Sequence, residues 1–186
     1  MTLFSEDLLG GRAIVAAGGV GEEVCDELTR LGARVEVFGP ELGFDEEAAA
    51  RWVRARAPLH ALVYDAAPSF GAGGPAGLQS AVERGWFSIR ALATEALIPA
   101  QSGGKLLLVG PAPVVGAHAQ AATAALENLS RTLSVEWARH AVTSATIARG
   151  SASSDRELAT LICFLVSPAG DYVSGTRLDL GLIRVS

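Results

Sequence analysis

The side chains with the chemistry to act in a site are few and scattered. His60, His118 and His140 stand far apart in the chain. Cys25 and Cys163 lack the close pairing of a metal or redox motif and fall on predicted helix faces, so both read as reduced core thiols. No zincin, Cys-x-x-Cys, Walker or Gly-x-Ser-x-Gly signature is present, and no metal is expected. Gly18, Gly19 and Gly21 form a Gly-rich turn of the type that can lie under a phosphate, but such glycines also serve tight turns and close helix–strand packing, and the structural reading is preferred. Asp65 closes an apolar run. It has the chemistry of a general acid or base, and its simpler role is to accept backbone hydrogen bonds at a strand end. Arg149 could hold an anion; a surface salt bridge is the expected alternative.

The elements that position these residues are legible from periodicity. Lys105 to Val109 is an apolar run suited to a buried parallel strand, closed by Gly110-Pro111 and Pro113. From about Gly116 to Arg139, Ala122, Ala125, Leu126, Leu129, Leu133 and Trp137 recur at helical spacing. Val142 to Ile147 is β-branched and short, so strand, helix and strand form a parallel crossover. Earlier in the chain come a strand at Arg12 to Ala17, a helix at Glu22 to Leu31 ended by Gly32, and a strand at Ala33 to Phe38. A helix capped by Asp45 runs to about Arg56, and a strand covers Leu59 to Tyr64. GAGGPAG reads as a flexible loop before a long helix from Leu78 to about Gln101. Ser154 and Glu157 have capping-box spacing for the last helix, and Arg177 to Leu180 is the last strand.

The expected fold is therefore a single Rossmann-like domain over residues 1–186, a doubly wound parallel sheet of about six strands in three α/β/α layers. The segment AALENLSRTLSVEWARHAVTSATIARG resembles the active-site helix and following strand of the short-chain dehydrogenase/reductase family. Gly19-Val20-Gly21 resembles the end of that family's glycine loop, VYDAA its Asn-Asn-Ala-Gly segment, and DYVSGTRLDLG its closing segment, so the resemblance covers residues 11–181. One βα unit of the family pattern is missing after the second strand.

The same resemblance implies that the chemistry has been removed. Thr123 falls where the family has its Lys, Ala119 where it has its Tyr, Gly110 and Pro111 where it has its Ser, and Trp86 near its Asn. His118, one residue before the Tyr position, is either a substitute acid or a solvent-facing helix-start residue. The glycine loop is shortened, with Val15 at the place of its first Gly, and Gly39-Pro40 offers no ribose reader, with Glu41 nearby. Glu22 and Glu23 occupy the helix start where a pyrophosphate would lie, and at about 4 Å either would repel it by roughly 1–4 kcal/mol. The mobile substrate loop after Gly150 is nearly absent. Gly18, Gly19, Gly21, Asp65 and Ala66 thus outline a vestigial pocket, and no cofactor is expected; NAD or NADP would serve if an unconventional site in the same cleft is active.

Composition sets the remaining bounds. One hundred and eighty-six residues, half of them apolar, fit one globular domain. A net charge of −5 without a cluster of Lys or Arg argues against nucleic acid. No apolar run spans a membrane and MTLFSEDLLGGR has no signal-peptide pattern, so the cytoplasm is the expected compartment. Two functions of different classes follow. One is a non-catalytic, pseudoenzyme-like structural or regulatory subunit, pairing with itself or an active relative through helices 78–101 and 117–139. The other is an oxidoreductase, or another enzyme, with an unconventional site.

Overall fold

The computed structural model describes residues 4–39 and 44–181. Pro40 and Glu41, named above beside the ribose position, lie outside the described residues. Six parallel strands form one sheet in the order β2-β1-β3-β4-β5-β6. These are β1 (Ala13–Ala17), β2 (Arg34–Phe38), β3 (Ala61–Asp65), β4 (Gly104–Gly110), β5 (Val142–Arg149) and β6 (Thr176–Leu180). The central strands are buried on both faces, which is why they read as continuous apolar runs rather than as alternating ones. Along β4, Leu106 and Leu108 face one layer and Leu107 and Val109 the other. The expected three-layer sheet of about six strands is the observed one.

Helices α1 (Glu22–Arg30) and α7 (Asp155–Val166) cover one face and pack against each other. Helices α2 (Glu46–Arg54), α4 (Gly74–Leu92) and α6 (Ala119–Glu136) cover the other, with a short α3 (Ala67–Phe70) at the top of β3. Asp45 caps α2 by accepting from the Ala48 amide at 2.9 Å. Ser154 caps α7 reciprocally with Glu157, as the spacing predicts.

Three boundaries differ from expectation for local reasons. Helix α4 starts at Gly74, not Leu78, because Pro75 suits the first helical turn; GAGGPAG is therefore half helix. The same helix passes through a π-helical turn at Ala93–Leu97 and ends in α5 (Ile98–Ala100). Pro99 cannot donate to the ladder there, and a wider turn accommodates the missing bond. Helix α6 starts only at Ala119, because Gly116 and His118 have φ of 154° and 71° and cannot belong to a right-handed helix. Residues 113–115 instead make a separate 3-10 turn.

Candidate functional site

The sheet reverses winding between β1 and β3, and the C-terminal ends of those strands are where such folds place ligands. Here the crevice is closely packed. Gly18 has φ of 77°, and a Cβ on it would overlap the Asp65 carbonyl and stand 2.7 Å from the Tyr64 ring. Gly19 has φ of 93°, and a Cβ on it would stand 2.8 Å from Pro68 Cγ of α3. Both glycines are therefore demanded by close approach of β3 and α3, the structural reading of that turn. Gly21 is the N-cap of α1, and Glu22 and Glu23 sit exposed in its first turn.

Tyr64 fills the space behind the turn. It is fully buried, its hydroxyl donates to Ala81 O at 2.7 Å, and burial pushes its pKa up to about 12. Helix α4 turns Gly85 toward it, where a Cβ would come within 2.9 Å of the ring. Trp86, the next residue, points outward and is 40% exposed, so α4 presents a bare glycine to the sheet at this level rather than the tryptophan singled out from the sequence. A cavity of about 400 Å³ remains, lined by Gly18, Gly19, Phe38, Tyr64, Arg84 and Ser88.

Asp65 and Ala66 close β3. The Asp65 carboxylate accepts from the Ala67 amide at 2.9 Å, as expected of a strand-end aspartate. Burial raises its pKa, against the opposing pull of the Ala67 amide and of the Arg149 charge. Ala66 is fully buried and starts α3.

At the top of β4 the positions of the sequence resemblance meet each other. Thr123 is buried, and its hydroxyl donates to Ala119 O at 3.1 Å. Its side chain lies against Gly110: a Cβ there would overlap Thr123 Oγ1 and stand 2.8 Å from Cγ2. Ala119 is buried at the start of α6, and Pro111 is buried after β4. His118 is exposed with a left-handed backbone, the solvent-facing reading of that residue. The contact between Gly110 and Thr123 fills with methyl and hydroxyl the space between β4 and α6.

Beside it, Gln120, Thr123, Arg149, Ser151, Arg177 and Asp179 line a cavity of about 410 Å³. Arg149 makes the expected salt bridge, with Asp155 at 2.6 Å. Its Nε is nevertheless buried and has no hydrogen-bond partner among the described residues. Arg177 bridges Asp179 at 2.5 Å and Glu127 at 3.4 Å. Gln120, Arg177 and Pro68 were not anticipated. Pro68 is a sequence signal only for the first turn of a short helix after β3; its place over the glycine turn, like Gln120, carries no such signal.

The other candidates are dispersed. His60 lies at the opposite edge of the sheet, where Nδ1 accepts from the Ala13 amide at 2.9 Å. His140 Nε2 accepts from Arg139 at 3.1 Å, beyond the end of α6. Cys163 is a core thiol pushed up to about 12 by burial, whereas Cys25 is only half-buried, because α1 turns it toward the helix flank. Among the described residues no group of His, Cys, Asp and Glu is placed to hold a metal, and no helix is long and apolar enough to cross a membrane.

No protein-family profile and no curated protein matches the sequence. Solved structures match closely in shape. A citronellol catabolism dehydrogenase from Pseudomonas aeruginosa PAO1 is 23% identical, with 96% of this chain and 97% of that one covered and a TM-score of 0.76. A hydroxysteroid dehydrogenase from Escherichia coli is 18% identical over 94% and 98% of the two chains, TM-score 0.72. A mutant short-chain dehydrogenase/reductase from Serratia marcescens is 19% identical over 93% and 97%, TM-score 0.72. The fold is the short-chain dehydrogenase/reductase fold over nearly the whole chain.

Proposed function

We propose that this protein is a non-catalytic form of the short-chain dehydrogenase/reductase fold, acting as a structural or regulatory subunit of an oligomer. The observation that carries this reading is the packing of Thr123 onto Gly110. A reductase must donate a proton, from a group of tuned pKa within reach, to the developing alkoxide. Ala119 offers no such proton, Thr123 supplies no positive charge, and Gly110 has no room for a side chain. The loss is thus a repacked contact rather than a set of isolated deletions. Pro68 over Gly19, the Tyr64 ring behind Gly18 and the carboxylates of Glu22 and Glu23 support the companion reading that neither NAD(H) nor NADP(H) binds there appreciably. The test is hydride transfer from either nicotinamide to a panel of carbonyl compounds, together with calorimetric titration of both cofactors. Robust turnover, or a dissociation constant in the low micromolar range, defeats the proposal.

One observation favours a second reading, an enzyme using an unconventional site in the same cleft with NAD or NADP as its cofactor. The Arg149 Nε–H, beside a cavity with Gln120 and Arg177, has no acceptor among the described residues. If carbonyl reduction is found and survives His118→Ala but not Arg149→Gln, this second reading replaces the first.

A further inference from the structure

The largest cavity described lies at the opposite edge of the sheet, where the strands begin. It encloses about 800 Å³ and is lined by Arg12, His60, Lys105, Thr143, Asp171 and Ser174, among others. The sequence puts basic side chains there in a row. Arg12 precedes β1, His60 precedes β3, and Lys105 follows Gly104 in β4; the three strands are neighbours. Backbone bonds fix the row, with the His60 amide donating to Ala13 O at 2.8 Å and the Lys105 amide to His60 O at 3.1 Å.

The three basic side chains are not equally engaged. Lys105 is fully used: its ammonium donates to Leu165 O at 2.9 Å, to Ser167 O, and to Asp171 at 2.7 Å. The negative end of α7 accounts for that residue. Arg12 is half-buried; its backbone bonds Leu9 and Arg34, but its guanidinium makes no hydrogen bond or ion pair to any described residue. The Ala13 amide occupies His60 Nδ1, which leaves the imidazole proton on Nε2, and no described residue accepts it. The Ser174 hydroxyl oxygen accepts from the Ser144 amide at 3.4 Å, so its own proton remains to be given. Two nitrogen donor groups and a hydroxyl therefore converge on one cavity whose lining carboxylate, Asp171, is tied to Lys105.

We propose that this cavity binds a small organic phosphate monoester, its phosphoryl oxygens held by Arg12 and His60 and its organic part in the remaining volume. A guanidinium fork plus an imidazole N–H offers more donors than a two-oxygen carboxylate uses, which favours a head with three terminal oxygens. The volume far exceeds that of a bare ion, which favours an ester. The charged groups around His60 are Arg12, Arg34 and Lys105 as cations, with Asp171 engaged by Lys105 and Glu36 by Arg34. Burial and the Arg12 charge hold the imidazole below its usual pKa, and a bound dianion would oppose both cations and raise it.

The experiment is NMR titration of the His60 imidazole with glycerol phosphate, inorganic phosphate and glycerol. Glycerol phosphate should give a saturable shift and an upward move of the His60 pKa; inorganic phosphate should bind more weakly and glycerol not at all. Arg12→Gln should weaken glycerol phosphate binding about tenfold or more. His60→Asn should weaken it too, because Asn retains an acceptor for the Ala13 amide while lacking Nε2–H. Arg149→Gln, at the opposite edge, should leave it unchanged. No saturable shift below about 1 mM, equal affinity for both phosphates, or dependence on Arg149 rather than Arg12 overturns the proposal. None of these outcomes bears on hydride transfer.

Discussion

At the scale of single residues, the informative feature is a pair of residues that fit each other. Gly110 is bare because Thr123 lies on it, and Thr123 is buried against it. Gly110→Ser should therefore destabilise the fold by about 1–3 kcal/mol through overpacking. Thr123→Ala in the same chain should recover most of that loss, which urea unfolding of the two single variants and the double variant would show as strong coupling. Independent effects of the two changes would mean that the contact is incidental. Asp65 gives a second prediction. Its pKa is raised in the fold, so as pH climbs above the usual carboxylate value the unfolded chain ionises first and stability falls. Asp65→Asn removes that term and keeps an acceptor for the Ala67 amide. The unfolding midpoint of the variant relative to the parent should rise between pH 4 and pH 7; a constant difference would show that the buried carboxylate is not the cause.

Among the elements, α7 is held at both ends by polar contacts that the sequence exposed unequally. Its N-terminal box of Ser154 and Glu157 follows from spacing alone, and Ser154→Ala should cost about 1 kcal/mol. Its C-terminal carbonyls are bonded by Lys105, sixty residues earlier in the chain, a contact no local pattern announces. Lys105→Met should cost more than the cap, about 1–3 kcal/mol for each buried carbonyl left without a donor; thermal melts ranking the two variants the other way would refute this. The contrast explains what was legible. Strands β1, β3 and β4 declare themselves because burial on both faces gives them continuous apolar runs, β5 does so by its β-branched residues, and the caps at Asp45 and Ser154 are local. The helix starts at Gly74 and Ala119 do not, since Pro75 and the positive φ of His118 decide them and neither shows in a hydrophobic period. Within the site, the meeting of Ala119 and Thr123 with the end of β4 could be read by position, but the closure of the glycine turn by Pro68 depends on how α3 packs across β1.

For the whole molecule, the proposed non-catalytic role raises the question of what the fold would be retained to do. The resemblance to short-chain dehydrogenases/reductases suggests pairing through α4 and α6 across a two-fold axis. Of the apolar residues along these helices, Ala93 and Ala122 are core, and Leu129 and Trp137 are half-buried against it. That leaves Trp86 at 40% exposure, joined on α6 by Val135 at 78%. The outward apolar share is thus smaller than the helical periodicity implies, and Asn128, Arg131 and Thr132 lie exposed among it. An interface there would resemble a non-obligate one, with aromatic and aliphatic anchors inside a polar rim. Burial of about 1,500 Å² is what a standard interface of this kind requires. Sedimentation velocity at micromolar concentration should show a dimer, or a complex with an active relative of the same fold. Because Trp86 and Val135 are surface residues, Trp86→Glu with Val135→Glu should leave the melting temperature of the isolated chain nearly unchanged and yield monomer. A parent protein that sediments as a monomer alone and with every candidate partner removes the structural-subunit reading. A dimer that ignores both substitutions places the contact on another face, with the exposed β2 edge of the sheet the next surface to test.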